Sequence, residues 1–145
     1  MCESLATSTG TRLMKKLKLS ASEMVNAARA RIREIETSEL IKMVGDPDVV
    51  IVDIRDIRER QRSGAIPGSV HAPRGMIEFW IDPESPYHKS VFAEDKEFIF
   101  FCAGGLRSAL AAKTAQDMGL KPVAHMIGGF GAWKKSGAEI VPPKT

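Results

Sequence analysis

One cysteine near the end of an apolar run is the residue best placed to do chemistry. Cys102 directly follows the run Glu97–Phe101, and a helix is predicted to begin about four residues later. The start of a helix offers free backbone N–H groups and the positive end of the helix dipole. Two adjacent glycines, Gly104 and Gly105, let the chain bend tightly and turn its N–H groups inward. This pattern predicts a small anion-binding loop that favours the thiolate of Cys102, the nucleophilic form of the side chain.

The arginine that follows these glycines is unusual for its position. Arg107 falls in the first turn of the predicted helix, where a cation opposes the helix dipole. A local rule broken in this way is typical of a functional site. Its guanidinium could hold an anionic substrate or pair with a carboxylate that supports the loop. A cysteine at a strand end can also be an inert small hydrophobe, so these residues alone leave both interpretations open.

Predicted strands alternate with short helices along most of the chain. The strands are predicted at residues 33–35, 49–52, 69–71, 97–101 and 123–127, and the helices at 37–44, 57–62, 75–81, 107–118 and 129–135. Thr37 is the predicted N-cap of the first of these helices. The β-branched run at 49–52 is typical of a strand buried on both faces. This alternation predicts an α/β fold with a parallel sheet covered by helices on both faces.

Length and charge favour one ordinary domain. The chain has 145 residues, of which 43% are hydrophobic and 27% charged. Residues 1–35 hold seven Lys/Arg and three Asp/Glu, whereas the rest holds fourteen and fifteen. We therefore divide the chain into a basic tail with an accessory helix, residues 1–31, and a nearly neutral body, residues 32–142. A neutral body argues against a nucleic-acid groove.

The N-terminal segment predicts little about function. Its first ten residues lack apolar periodicity and are expected to be disordered. Cys2 lies in this segment, where it could act as a resolving thiol, but we expect it to be incidental. A helix is predicted from Ser20 or Ser22 to about Arg33, and we expect it to pack on its own domain or on a second copy, forming a homodimer. No apolar run reaches the roughly 18–20 residues of a membrane helix. We expect a cytoplasmic protein without membrane contact and with reduced cysteines.

Four segments, in order, resemble the rhodanese-like domain family. They are Val52-Asp-Ile-Arg55 followed by Glu59, the turn Gly64-Ala-Ile-Pro-Gly-Ser69, the loop Cys102-Ala-Gly-Gly-Leu-Arg-Ser108, and Gly128-Gly-Phe130 followed by Trp133. The resemblance covers about 110 residues, nearly everything after the N-terminal helix. This sequence departs from the family pattern at Ala65, where the family often has histidine.

The resemblance implies a fold and an activity. The fold is a five-stranded parallel sheet flanked by helices on both faces. The activity is sulfur transfer without a cofactor or a metal. Cys102 would take a sulfane sulfur from a small anionic donor such as thiosulfate, carry it as a persulfide, and pass it to a thiol, a protein or cyanide. The residues implied to bind the substrate are those of the loop, namely Ala103, Gly104, Gly105, Leu106, Arg107 and Ser108.

Other residues have weaker assignments. Asp53 and Arg55 follow a buried strand on the same sheet edge as Cys102, and we expect them to support the loop. Arg74 follows another strand end, where it either lines the mouth of the site and attracts the donor or is solvated. The three histidines, His71, His88 and His125, are expected at strand or surface positions without a catalytic role.

Two other functions remain open. The cysteine phosphatases have a similar loop, but theirs is one residue longer than the four residues between Cys102 and Arg107. The shorter loop makes a smaller anion site, which suits a persulfide sulfur better than a phosphoryl group. The second alternative is a module that carries a persulfide or docks a partner without catalysis. An inactive module would be expected to lack the cysteine.

Overall fold

Five parallel strands organise the chain in the computed structural model, which describes residues 15–144. The strands are β1 (Arg33–Ile35), β2 (Val49–Asp53), β3 (Val70–His71), β4 (Glu97–Phe101) and β5 (Val123–Met126). Their order in the sheet is β1-β5-β4-β2-β3, and every pairing is parallel. The predicted α/β fold with a five-stranded parallel sheet is therefore confirmed. Strand β4 lies in the middle, and residues 98–101 are fully buried.

Six helices cover both faces of the sheet. They are α1 (Ala21–Arg29), α2 (Thr37–Ile41), α3 (Ile57–Ser63), α4 (Ile77–Ile81), α5 (Leu106–Asp117) and α6 (Gly129–Lys135). Because successive strand residues point to opposite faces, β4 supplies Phe98 and Phe100 to one core and Ile99 and Phe101 to the other. Helices α4 and α5 pack in the first core, and α2 and α6 pack in the second.

Several helix boundaries differ from the sequence predictions. Helix α2 ends at Ile41 rather than at Val44. Its N-cap is Glu36 rather than Thr37, since the Glu36 backbone is extended (φ −84°, ψ 159°) and its N–H donates to the Glu39 carboxylate at 3.1 Å. Helix α1 ends at Arg29 rather than near Arg33, since the following residues enter β1. The helix predicted at 75–81 divides into a 3₁₀ turn, Arg74–Met76, followed by α4. A second 3₁₀ turn, Ser90–Ala93, was not predicted.

Helix α1 packs on its own domain. Ser20 is its N-cap, as one of the two predicted alternatives, and accepts a hydrogen bond from the Glu23 N–H at 3.0 Å. Val25 and Ala28 are buried against Ala109 of α5. The homodimer stays a prediction. The predictions for the first ten residues and for Cys2 concern positions outside the described residues. Within residues 15–144, no helix has both the length and the apolar character needed to cross a membrane.

The turn before α6 brings its backbone against the segment that follows β4. Gly129 has φ +57°, and a Cβ there would lie 2.4 Å from the Cys102 carbonyl oxygen. That distance is far inside van der Waals contact, so glycine is required both for the backbone conformation and for the close approach. The neighbouring N–H groups of Phe130 and Gly131 donate hydrogen bonds to the carbonyls of Cys102 and Ala103 at 2.8 and 3.0 Å.

We expect Gly129→Ala to destabilise the protein by more than backbone strain alone. An L-residue in the left-handed region costs roughly 1–2 kcal/mol, and the alanine methyl would in addition collide with the backbone of residues 102–103. Gly119→Ala is the matched control, because Gly119 also has a positive φ, +100°, but open space around its Cβ position. Urea unfolding measures both variants. Equal losses of unfolding free energy in the two variants would show that the close approach of residue 129 to residues 102–103 adds no constraint.

Candidate functional site

Cys102 lies at the carboxyl end of the central strand and is buried. Its side chain is 1% exposed, and the residue directly follows Phe101, the last residue of β4. In open parallel sheets, this edge is where ligands bind. The position thus agrees with the sequence prediction for a reactive residue, and burial limits the access of solvent to the sulfur.

The loop and the start of α5 direct backbone donors at the sulfur. The N–H groups of Gly105 and Ser108 lie 3.1 and 3.4 Å from the Cys102 Sγ. Gly105 is the N-cap of the twelve-residue helix α5 and has φ +105°, a conformation that turns its N–H inward. N–H donors and the positive end of a helix dipole thus meet at the sulfur, an arrangement that suits the binding of an anion there.

The other predicted loop residues differ in exposure. Ser108 is fully buried, and its Oγ lies 3.5 Å from the Cys102 Sγ. Ala103, Gly104 and Leu106 are exposed, with 65% of Leu106 accessible. The loop therefore presents a buried polar floor and an apolar outer rim.

Arg107 is engaged with a carboxylate. Its two terminal nitrogens donate to the Glu59 oxygens at 2.8 and 3.1 Å, which joins α5 to α3. The hydrogen bond from Arg107 lowers the pKa of Glu59, although burial opposes this shift. Of the two sequence interpretations of Arg107, the structure shows the pair with a carboxylate. Glu59 stood in one of the family motifs, but its pairing with Arg107 spans 48 residues and was not predicted.

Asp53 and Arg55 form a buried ion pair beside the loop. Arg55 donates to both carboxylate oxygens of Asp53, at 2.9 and 2.7 Å, and Arg60 donates to the same carboxylate at 3.0 Å. The Arg55 guanidinium also lies 4.2 Å from the ring centroid of Phe130, at the start of α6. Arg60 was not singled out from the sequence, because a helical arginine ordinarily faces solvent.

Arg74 lies apart from this network. Its Nη1 donates to the Glu78 carboxylate at 3.1 Å, and about a third of its side chain is accessible. Its backbone N–H donates to the carbonyl of Ile54, next to the end of β2, at 3.2 Å. Arg74 is thus on the predicted edge of the sheet, with its charge already paired.

A chain of polar side chains continues from the cysteine into the sheet. The Ser108 Oγ lies 2.9 Å from the Nδ1 of His125, and the His125 Nε2 lies 2.8 Å from the Glu34 carboxylate. His125 is on β5, a strand position as expected, and is 1% exposed. Parallel pairing of β1 with β5 sets Glu34 directly beside His125. No local pattern in the sequence predicts the contact between Glu34 and His125, since the two residues are 91 positions apart.

The remaining histidines bond to the backbone. The His71 Nε2 lies 2.7 Å from the Arg55 carbonyl oxygen, and the His88 Nδ1 lies 2.9 Å from that of Trp80. Among residues 15–144, no group of three His, Cys, Asp or Glu side chains is arranged to hold a metal ion.

Comparison with known proteins places this geometry in a family. The family model of the rhodanese-like domain matches residues 36–136. A putative sulfurtransferase of Bacillus subtilis, YtwF, is 33% identical over 104 residues, which cover 71% of this chain and 91% of that protein. A sulfurtransferase of Allochromatium vinosum is 30% identical over 114 residues, 78% of this chain and 98% of that protein. These relatives support sulfur transfer as the general activity.

A solved structure is similar over nearly the whole chain. It is the protein RPA3614 of Rhodopseudomonas palustris, described as a protein of unknown function and a possible tyrosine phosphatase. The two chains are 57% identical and superpose with a TM-score of 0.85, covering 88% of this chain and 98% of the other. The five-stranded parallel sheet and the loop after β4 agree with the fold that the four sequence motifs imply. Because the family model matches residues 36–136, this chain belongs to the rhodanese-like domain family.

Proposed function

We propose that this chain is a sulfurtransferase that moves a sulfane sulfur from thiosulfate or a persulfide donor to a thiol or cyanide acceptor. Cys102 carries the sulfur between the two as a persulfide. The observation that supports the proposal most is the pair of backbone N–H groups, from Gly105 and Ser108, that point at the buried Sγ at the start of α5. Such donors stabilise negative charge on a sulfur atom without a cofactor.

The proposed cycle has two displacement steps. The Cys102 thiolate attacks the outer sulfur of thiosulfate, the S–S bond of the donor breaks, and sulfite leaves with the bonding electrons. The enzyme then carries a Cys102 persulfide anion. The acceptor attacks its terminal sulfur, the new S–S bond breaks, and the Cys102 thiolate is restored. This is covalent, ping-pong catalysis.

The neighbouring residues have proposed roles in this cycle. The N–H groups of residues 103–108 would hold the terminal sulfur of the persulfide, and Arg107 and Arg74 would attract the anionic donor. Asp53 and Arg55 would support the loop through Phe130, on which the Arg55 guanidinium stacks. We further propose a cytoplasmic location, where small thiols and persulfides are available as partners.

The description of the Rhodopseudomonas relative keeps a phosphatase as the second candidate. The length of the loop weighs against it. The loop has four residues between Cys102 and Arg107, one fewer than in cysteine phosphatases. The shorter loop makes a smaller anion site, which suits a persulfide sulfur better than a phosphoryl group.

We expect the protein to gain the mass of one sulfur atom on the peptide that contains Cys102 after incubation with thiosulfate or glutathione persulfide. Cyanide should remove the added sulfur and release thiocyanate. Cys102→Ser should gain none while keeping its unfolding midpoint, because serine is close to cysteine in size. Intact-mass and peptide-mass spectrometry measure both. Cys2→Ser is the matched control and should gain sulfur normally.

The opposite result would be equally clear. If Cys102 is free and reduced beforehand and gains sulfur from neither donor, the proposed function is wrong. Hydrolysis of p-nitrophenyl phosphate by the unaltered protein, lost in Cys102→Ser, would then identify the phosphatase.

We expect Arg107→Ala to lower kcat/KM for thiosulfate by roughly tenfold or more, because a charge-assisted hydrogen bond contributes on the order of 1.5–3 kcal/mol. Glu59→Gln is the matched control, since it removes the partner of Arg107 but keeps the cation. Its kcat/KM should fall less. Steady-state kinetics and urea unfolding separate binding of the donor by Arg107 from support of the loop through the Arg107–Glu59 pair. Equal losses of kcat/KM in both variants would leave Arg107 with only the supporting role.

A further inference from the structure

We propose that Ser108, His125 and Glu34 form a relay that takes the thiol proton of Cys102 and holds it on His125 while the sulfur is a thiolate. The inference assigns His125 a role beyond the strand position expected from the sequence. It rests on the proposed function only in that Cys102 is the nucleophile.

Three consecutive contacts carry the inference. The Cys102 Sγ lies 3.5 Å from the Ser108 Oγ, that oxygen lies 2.9 Å from the His125 Nδ1, and the His125 Nε2 lies 2.8 Å from the Glu34 Oε2. Cys102, Ser108 and His125 are each at most 1% exposed. In a buried chain of this kind, each hydrogen bond polarises the next, which strengthens the connection between the thiol and the imidazole.

The carboxylate determines which way the hydrogen bonds run. Because the Glu34 carboxylate can only accept, the His125 Nε2 must carry a proton and donate it. In neutral His125, Nδ1 is then the acceptor, so the Ser108 hydroxyl donates to Nδ1 and accepts the hydrogen bond of the Cys102 thiol. When the thiol proton moves through Ser108 to Nδ1, both hydrogen bonds reverse. Protonated Nδ1 then donates to the Ser108 oxygen, and the Ser108 hydroxyl donates to the thiolate.

The charged groups around His125 suit this exchange. Those that face it are Glu34 on β1, Arg29 on α1 and, through Ser108, the Cys102 thiol at the end of β4. Burial lowers the pKa of His125 and so works against an imidazolium, whereas the hydrogen bond and the charge of Glu34 oppose that shift. The Glu34 carboxylate is therefore the group that stabilises a proton taken up by His125. Burial disfavours ionised Glu34, but hydrogen bonds from Arg29 and His125 outweigh it and lower the pKa of Glu34.

A small cleft links the relay to the surface. It has a volume of about 60 Å³, and its lining includes Glu34, His125, Gly104 and Gly105. This is room for about two water molecules at ~30 Å³ each. The cleft therefore borders both the relay and the loop.

The relay accounts for the thiol proton that Cys102 gives up in the first displacement step. Starting from the thiol, the sulfur forms a bond to the outer sulfur of thiosulfate, its proton passes through Ser108 to His125, and sulfite leaves with the bonding electrons. His125 is an imidazolium beside a persulfide anion at this stage. When the acceptor has restored the Cys102 thiolate, the proton returns from His125 through Ser108 to the sulfur, which regenerates the thiol and the neutral imidazole before the next turnover.

The test measures thiolate formation without any sulfur donor. In a Cys2→Ser background Cys102 is the one thiol in the chain, and its thiolate is followed by ultraviolet absorbance against pH. We expect His125→Asn to raise the midpoint by about one pH unit or more. Asparagine can still hydrogen-bond to Ser108 but cannot take the proton, so a purely structural role for His125 leaves the midpoint unchanged.

Two matched variants accompany this measurement. Glu34→Gln should raise the midpoint by less, because it removes only the charge that favours the imidazolium. His88→Asn should leave the midpoint unchanged, because His88 bonds to the Trp80 carbonyl and not to the relay. An unchanged midpoint in folded His125→Asn would overturn the inference. Since no donor is present, this outcome is distinguishable from failure of the proposed sulfur transfer.

A second measurement keeps the inference testable if His125→Asn does not fold. The imidazole nitrogens of His125 can be followed by NMR against pH, with Cys102 intact and in Cys102→Ser. We expect His125 to keep its proton to higher pH when Cys102 is present, because the thiolate stabilises the imidazolium through Ser108. Identical titration curves in the two proteins would overturn the relay.

Discussion

The backbone N–H groups of Phe130 and Gly131 hold the carbonyl oxygens of Cys102 and Ala103 at 2.8 and 3.0 Å, and the geometry of the loop depends on these two hydrogen bonds. With its first carbonyls fixed outward against α6, the loop turns the N–H groups of Gly105 and Ser108 toward the sulfur. The approach is possible only because residue 129 has no side chain. The donors that point at the Cys102 sulfur are thus positioned by a turn that is distant in sequence.

A buried charge cluster fixes the other side of this arrangement. Asp53, at the end of β2, is bonded by Arg55, whose guanidinium stacks on Phe130 at the start of α6. Arg60 donates to the same buried carboxylate, so removing Asp53 would leave two buried guanidinium groups without their carboxylate partner, which is strongly destabilising. The carboxyl end of β2, the start of α6 and the loop after β4 are therefore joined by direct contacts.

The sequence was sufficient for the architecture and for the loop, because both depend on local signals. The apolar run of β4, the two glycines after Cys102 and the β-branched run at 49–52 each determine local structure, and all three predictions agree with the structure. The pairs Arg107–Glu59 and His125–Glu34 could not be predicted. They join residues 48 and 91 positions apart, and they depend on strand order and helix placement, which no local pattern encodes.

The central claim is that the loop after β4 holds an anionic sulfur on Cys102. A crystal structure of the protein carrying one added sulfur atom, after treatment with thiosulfate or glutathione persulfide, tests this most directly. We expect the second sulfur bonded to the Cys102 Sγ, within hydrogen-bond distance of backbone N–H groups of residues 103–108, with the bonds from α6 to the loop intact. An added sulfur on another residue, or one that makes no contact with these N–H groups, would contradict the account.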